Sequence, residues 1–185
     1  MTGLDPVRLV RISAATTGEP YFGRSGANRF DDPGCAIGKP EYGSCYLALG
    51  LDVAIAESLL HDEVPDNGKF RIAGTTISRS FVHRFSGKPL RLLDLTGPLL
   101  KRLDGNADLA GTCAYAMTQQ WALAVYRNPK EFDGFMYMSR HLNTGKAVLL
   151  FDRAGSKLQS APKPPPLLAE PQFATIAAAL GIVAI

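Results

Sequence analysis

The chain has 185 residues, 46% of them hydrophobic, which is enough to bury the core of one ordinary domain. Charged residues make up 20%, and 20 Lys and Arg against 17 Asp and Glu leave a net charge of +3. These values exclude a disordered chain, an acidic tail, a collagen-like or disulfide-dense scaffold and a dedicated DNA coat.

The N-terminal part of the chain predicts two strands separated by a long loop. Residues 7–12 alternate apolar and basic side chains, as in a half-buried strand, and residues 45–49 form a second strand. Residues 13–43 are rich in Gly, Pro, Ser, Asn and Asp, and ordered loops of this length are usually functional. Asp52 is placed to cap a helix over residues 53–62.

The middle of the chain is rich in β-forming residues. A Pro-Asp-Asn-Gly break at 65–68 precedes strand-like runs over residues 70–77, 80–85 and 90–95. Thr96-Gly97-Pro98 then opens a short helix that is predicted to reach Leu103.

The longest predicted helix covers residues 110–126 and stops at Asn128-Pro129. It places Cys113 on its apolar side, where we expect a buried, unreactive thiol. Two strands follow, over residues 134–138 and 147–151.

The C-terminal segment predicts an extended connector and a small helix. Residues 161–171 carry five prolines, and residues 172–180 have helical character. We assign residues 1–160 to one domain and residues 161–185 to a connector and helix that pack on the same domain. Strands predominate and do not alternate with helices as βαβ units, so the predicted class is α+β, or mixed α/β.

Cysteine usage and hydropathy predict a cytoplasmic protein. Cys35, Cys45 and Cys113 form an odd, unclustered set that favours a reducing compartment. The longest apolar stretch, residues 173–185, is shorter than the roughly 18 residues of a membrane span, and no signal peptide is legible.

Common enzyme motifs are absent from the sequence. There is no P-loop, G-x-G-x-x-G, H-E-x-x-H, C-x-x-C or G-x-S-x-G. His61, His83 and His141 lie too far apart in sequence to predict a local zinc site, so we expect no metal.

Polar residues in three unexpected places suggest a site instead. Glu57 falls on a largely apolar stripe of its predicted helix, so it is paired, neutralised or reserved for chemistry, or it is simply a solvated surface glutamate. Arg29 stands at the rim of a turn, where it either binds a ligand or is solvated. Residues 137–141 end a buried strand in hydrogen-bonding groups, which supply a site or cap the strand.

These places belong to a set of short motifs with a fixed order. The motifs are Arg29-Phe30-Asp31-Asp32-Pro33-Gly34, Tyr46-Leu47-Ala48, Glu57 eleven residues after Tyr46, Leu92-Leu93-Asp94-Leu95-Thr96 and Gly134-Phe135-Met136-Tyr137-Met138-Ser139. Their order and spacing resemble the RES-domain family, which is named for an Arg, a Glu and a Ser. The resemblance runs from about Arg11 to Asp152 and makes residues 1–160 the catalytic domain.

The resemblance implies a fold similar to the ADP-ribosyltransferase core, with a curved β-core, flanking helices and a cleft for NAD. Characterised members of the family are similar to toxins that consume NAD and are paired with an Xre-type antitoxin. Some use inorganic phosphate, while others are hydrolytic or ADP-ribosylate a protein. The expected function is therefore cleavage of the nicotinamide–ribose bond of NAD, with NAD as the substrate and no metal.

The resemblance also implies roles for individual residues. Glu57 would stabilise the cationic transition state, and Arg29, supported by Arg11, would bind phosphate oxygens. Tyr46 would offer its ring to nicotinamide and its hydroxyl to a ribose or phosphate, and Ser139 would bind a diol or orient Glu57. His141 and Asn143 are the remaining candidates for NAD contact.

Other functions stay open at this stage. The same cleft would serve a protein ADP-ribosyltransferase, and a non-catalytic nucleotide-binding module would use the same residues without turnover. Nucleic-acid binding is not expected, because the basic residues are scattered rather than arranged in a stripe. The sequence leaves dimerisation open.

Overall fold

One curled sheet of eight strands forms the centre of the protein in a computed structural model that describes residues 2–185. The strands are β1 (Thr2–Leu4), β2 (Val10–Ser13), β3 (Ser44–Ala48), β5 (Phe81–Gly87), β6 (Leu90–Asp94), β7 (Gly134–Met138), β8 (Lys146–Phe151) and β9 (Leu158–Ser160). Their spatial order is β1-β6-β7-β8-β3-β2-β5-β9. β4 (Phe70–Ile72) and β10 (Ile182–Ala184) form a separate parallel pair.

Helices surround this sheet and connect its strands. They are α1 (Leu51–Leu59), α2 (Gly74–Ser78), α3 (Gly97–Arg102), α4 (Asp108–Gly111), α5 (Tyr115–Tyr126) and α6 (Phe173–Leu180). Short 3-10 turns cover Pro6–Arg8, Pro33–Ile37, Asp152–Lys157 and Leu167–Ala169. β6 and β7 are parallel, and the chain passes through α3, α4 and α5 between them, because parallel strands need a crossover.

The central strands are buried on both faces, which explains their continuous apolar sequence. In β7, Phe135 and Tyr137 enter one hydrophobic cluster while Met136 enters the other. β3 and β8 alternate in the same way. The helix α1 packs on the face that carries Tyr137, so the strand residues of that face point towards it.

The structure confirms the mixed α/β class and several predicted elements. Strands were expected over 45–49, 134–138 and 147–151, and β3, β7 and β8 cover them within one residue at each end. The predicted helix over 53–62 is present as α1, but it begins at Leu51 and has Gly50 at its N-cap. Asp52 lies in the first turn rather than at the cap.

Two strand predictions were partly wrong. In the 7–12 segment, a 3-10 turn occupies Pro6–Arg8, with Pro6 as its first residue. The N–H of Val7 donates to the Asp5 carboxylate, which caps this turn. The strand therefore begins only at Val10. In the 70–77 segment, the strand ends at Ile72 and the helix α2 follows. β4 does not join the large sheet, because its partner β10 comes from the far end of the sequence.

The predicted helix over 110–126 is broken at residues 112–114. Thr112 has an extended backbone and its side-chain oxygen accepts a hydrogen bond from the N–H of Ala114, which separates α4 from α5. Cys113 lies in this break and is exposed, so the expectation of a buried thiol was wrong.

The C-terminal segment contacts the rest of the protein at two places. Phe173, Ile176 and Leu180 of α6 pack against the larger hydrophobic cluster. The connector joins the end of the sheet, where the N–H of Val82 donates to the Pro165 carbonyl. Among the helices of residues 2–185, none combines the length and the apolar character that crossing a bilayer requires.

The cysteines should differ strongly in reactivity. Burial raises the pKa of the Cys45 thiol to about 12, whereas Cys113 is exposed. We expect iodoacetamide to alkylate Cys113 in the native protein and to reach Cys45 only after unfolding, as followed by mass spectrometry with and without denaturant. A Cys113→Ser chain identifies the fast site, and native labelling of Cys45 at a comparable rate would contradict the packing of β3.

Candidate functional site

An open cleft of about 410 Å³ lies between α1, the strands β2 and β3 and the segments around residues 29 and 115. Five of the candidate residues line it: Arg11, Arg29, Tyr46, Glu57 and His141. Ser139 lies behind Glu57 and is joined to it by a hydrogen bond. Asn143 is exposed and is not among the lining residues. The fold therefore gathers six of the seven candidates at one place.

Glu57 is held in a fixed orientation by Ser139. The hydroxyl of Ser139 donates to Glu57 Oε1 at 2.5 Å, and the same hydroxyl oxygen accepts the N–H of Leu142 at 3.0 Å. Ser139 is buried, and its own N–H donates to the carbonyl of Gly145. Glu57 Oε2 receives no hydrogen bond from residues 2–185, so this oxygen remains available for a ligand in the cleft.

Arg29 is buried even though it stands in a loop, with only 8% of its surface exposed. Its Nη1 donates to the carbonyl of Thr112 at 2.7 Å, and its guanidinium lies 5.2 Å from the ring centroid of Tyr115. The main-chain carbonyl of Arg29 accepts the hydroxyl of Thr118 at 2.6 Å. These contacts join the loop to the break between α4 and α5 and direct the guanidinium along the cleft wall.

Asp31 organises the turn that carries Arg29. Its buried carboxylate accepts hydrogen bonds from the hydroxyls of Ser25 and Ser44, from the backbone and side-chain nitrogens of Asn28, and from the hydroxyl of Tyr46. The donors belong both to the loop and to β3. Asp31 therefore attaches the loop to the sheet.

Asp32 closes the same turn in a different way. Its carboxylate accepts the N–H groups of Gly34, Glu41 and Tyr42 at 2.7, 2.6 and 3.0 Å. Neither aspartate was predicted to have a role of its own, although Asp-Asp-Pro-Gly is a composition typical of side-chain-capped turns.

The Tyr46 hydroxyl is used inside the protein. It accepts the N–H of Phe30 at 2.9 Å and donates to Asp31 Oδ1 at 3.2 Å. Burial, reinforced by the Asp31 charge, raises the pKa of Tyr46 well above its usual value. The hydroxyl that we expected to contact ribose or phosphate thus contacts the turn in this structure, and Tyr46 lines the cleft.

Arg11 is likewise engaged by neighbouring groups. Its Nη1 donates to the Tyr46 carbonyl at 2.8 Å, and its Nε lies 2.8 Å from Glu19 Oε2. The carboxyl of Glu19 is almost fully buried, with 4% of the side chain exposed. This ion pair fastens the start of the long loop to β2, and only part of the Arg11 guanidinium is left for a ligand.

Two histidines meet at one end of the cleft. The rings of His61 and His141 have centroids 5.0 Å apart, and Arg140 Nε lies 3.2 Å from His141 Nε2. Burial lowers the pKa of His141, and the charges of His61, Arg140 and Arg29 act in the same direction, against that of Glu57. Spacing in the sequence gave no sign of this pair, because the two residues are 80 positions apart and only the fold joins them.

Other lining residues were also missed. Tyr115, Tyr137 and Arg140 border the cleft although no sequence argument singled them out as ligand contacts. Tyr137 lies within the matched motif of β7, and its buried hydroxyl has a pKa raised well above the usual value by burial and by the Glu57 charge. Arg140 lies in the 137–141 segment that was expected to supply a site or cap the strand, whereas Tyr115 carries no recognisable local signal.

Comparison with known proteins finds a family and a solved structure that this chain is similar to. The family profile described as "RES domain" matches residues 6–174. A chain of the MbcT–MbcA toxin–antitoxin complex from M. tuberculosis has a similar fold, with a TM-score of 0.55, 16% sequence identity, and coverage of 92% of this chain and 88% of that chain. No curated protein sequence matches the chain significantly.

The Arg11–Glu19 ion pair predicts a pH-dependent stability. Burial of the Glu19 carboxyl opposes ionisation, but the Arg11 charge and the Tyr21 N–H outweigh it, so its pKa lies below the 4.5 of a free glutamate. This stabilisation is therefore complete above pH 4.5 and is lost as the pH falls through the lower, folded-state pKa.

We expect Glu19→Gln to reduce the free energy of unfolding by about 2 kcal/mol at pH 7, and we expect the deficit to shrink between pH 5 and pH 3. Urea unfolding across this range measures it, with the exposed Glu63→Gln as the matched control. A deficit that stays constant with pH would contradict the ion pair.

Proposed function

Since this chain belongs to the RES-domain family, we propose that it is an enzyme that cleaves the nicotinamide–ribose bond of NAD and serves as the toxin of a toxin–antitoxin pair. One observation carries the proposal: residues 29, 57 and 139, far apart in the sequence, meet at a single cleft together with Tyr46. The cleft is only partly enclosed, so a ligand can enter it from solvent.

Glu57 is the proposed catalytic residue. Departure of nicotinamide leaves positive charge on the ribose ring, as at other glycosidic centres, and a nearby carboxylate stabilises that charge. The hydrogen bond from Ser139 keeps one oxygen of Glu57 in place, so the other is already oriented when the charge develops. Ser139 is therefore a positioning residue in this mechanism.

Arg29 is the proposed anchor for the pyrophosphate. One guanidinium nitrogen is bound to the Thr112 carbonyl, which leaves other N–H groups for phosphate oxygens. Because the guanidinium is buried, its charge is poorly screened by water and acts strongly on an anion in the cleft. Arg11 supports it with the donors that Glu19 and Tyr46 do not use.

The remaining candidates are assigned by their position along the cleft. The ring of Tyr46 supplies a flat apolar surface for nicotinamide, while its hydroxyl stays with Asp31. His141 lines the same end as Glu57 and is proposed to contact the ribose. We leave Asn143 out of the proposed site because it lies outside the cleft wall.

The acceptor of the ADP-ribosyl group is inorganic phosphate, water or a protein side chain. These three reactions share the first bond cleavage and differ only in what enters the cleft afterwards. Nicotinamide release measured with and without phosphate separates phosphorolysis from hydrolysis. Radiolabelled NAD added with a cell lysate leaves a labelled protein band only if the acceptor is a protein.

The toxin role and the partner are inferred from the family and from the fold of a chain in a toxin–antitoxin complex. We propose an Xre-type antitoxin as the partner, and a fold related to the ADP-ribosyltransferase core. Co-expression of the chain with the product of the neighbouring reading frame tests the pairing: relief of growth arrest supports it, and persistent arrest without complex formation counts against it.

Substitution of Glu57 tests the catalytic assignment. We expect Glu57→Gln, which keeps the shape and removes the charge, to lower kcat by about 100-fold or more. Nicotinamide release followed by chromatography measures the rate, and the exposed Glu63→Gln serves as control. A Glu57→Gln enzyme with near wild-type turnover would remove this residue from the mechanism.

Substitution of Arg29 tests the anchor separately. Arg29→Lys keeps the positive charge but loses the planar fork, so we expect the KM for NAD to rise about tenfold or more, and thermal unfolding verifies that the variant is folded. The exposed Arg79→Lys provides the matched control. An unchanged KM would show that the phosphates bind elsewhere.

A further inference from the structure

A cluster of two imidazoles and one carboxylate lies at the end of the cleft. Glu57, His61 and His141 each offer one ligand atom, and these atoms lie within 4.8 Å of one another. Glu57 belongs to α1, His61 follows shortly after the end of that helix, and His141 comes from the loop between β7 and β8. We refer to these three residues as the histidine cluster.

We propose that the histidine cluster binds a divalent transition-metal ion of the zinc class. Two imidazole nitrogens and one carboxylate oxygen form a ligand set suited to zinc, with a further coordination position open to the cleft. Ligand atoms around a tetrahedral zinc ion lie about 3.4 Å apart, so side-chain rotation has to bring the most distant ligand atoms of the cluster up to about 1.4 Å closer. The His61 side chain is 43% exposed and has room to rotate towards an ion.

The groups around the cluster leave ligand atoms available. Glu57 Oε1 is bound to the Ser139 hydroxyl, so Oε2 is the atom that faces an ion, and Ser139 then orients the ligand from behind. His61 Nε2 has only a 3.8 Å contact with the exposed Asp62. His141 keeps Nδ1 without a hydrogen bond from residues 2–185, while Arg140 lies beside its Nε2.

The charges around the cluster determine which ions it accepts. Arg29 and Arg140 line the cleft and oppose a cation, while Glu57 and Asp62 favour one. The site has little net negative charge. It also offers Mg²⁺ or Ca²⁺ too few oxygen ligands, because these ions bind mainly to several carboxylates and carbonyls. Bonds from zinc to the two imidazole nitrogens are strong enough to outweigh the electrostatic repulsion by the arginines. The expected selectivity is thus for zinc over magnesium.

Metal binding would inhibit the reaction proposed above. An ion on Glu57 Oε2 occupies the oxygen that would otherwise stabilise the ribose cation, and it adds positive charge beside it. This consequence rests on the proposed function, whereas the binding of the ion does not.

Calorimetric titration of the untagged 185-residue chain with Zn²⁺ tests the site. The exposed or partly exposed thiols are removed by Cys35→Ser and Cys113→Ser, because free cysteines also bind zinc. We expect one zinc ion per chain and no response to Mg²⁺. In His61→Ala and in His141→Ala, we expect the affinity for Zn²⁺ to fall by about 100-fold or more. Glu63→Gln is the control that should bind as the parent does.

Two results would overturn the site: no zinc binding by the thiol-substituted chain, or undiminished binding by both histidine variants. Thermal unfolding without metal verifies that each variant is folded, and the absorption spectrum of bound Co²⁺ distinguishes nitrogen and oxygen ligands from thiolate. Failure of the chain to cleave NAD would refute the proposed function and leave the titration valid. Turnover that persists with zinc bound at the cluster would refute the inhibition.

Discussion

The buried carboxylate of Asp31 is the interaction on which the cleft depends. Only 1% of this residue is exposed, and no Lys, Arg or His among residues 2–185 forms an ion pair with it. Burying such a charge is costly unless hydrogen bonds compensate it. The donors come from both the loop and β3, so the charge is stabilised only while the loop lies against the sheet.

This dependence explains why the hydroxyl of Tyr46 contacts the turn. Its hydroxyl joins Asp31 and the Phe30 N–H, and both are immediate neighbours of the Arg29 turn in sequence. The guanidinium is therefore positioned by contacts that begin on β3, while Glu57 and Ser139 are positioned by contacts between α1 and the end of β7. Two independent sets of hydrogen bonds thus determine the two sides of the cleft.

Much of the central sheet could be predicted from sequence because each strand carries its own signal. β7 and β8 are continuous apolar runs, and the boundaries of β7 were predicted to the residue. Burial on both faces makes such runs long and easy to recognise. The apolar stripe predicted for the helix α1 also drew attention to Glu57, because a carboxylate among apolar neighbours is unusual.

Features that rest on contacts between distant residues could not be predicted. At the break, the Thr112 carbonyl accepts the guanidinium of Arg29, and the meeting of His61 with His141 depends on the packing of a loop beside α1. The hydrophobic periodicity of the sequence reports only on residues that are close in sequence, so it does not reveal either contact. The same reason explains why Cys113 was placed on a helix face that does not exist.

The pairing of β4 with β10 separates this pair from the rest of the sheet. Every strand of the large sheet and every residue that lines the cleft precedes β10 in the sequence, and none of those strands takes its backbone partner from β10. β4 has β10 as its strand partner, so without Ile182–Ala184 the backbone edge of β4 is open. Loss of these last residues would therefore expose a strand edge that can pair with other chains while leaving every strand pairing of the large sheet in place.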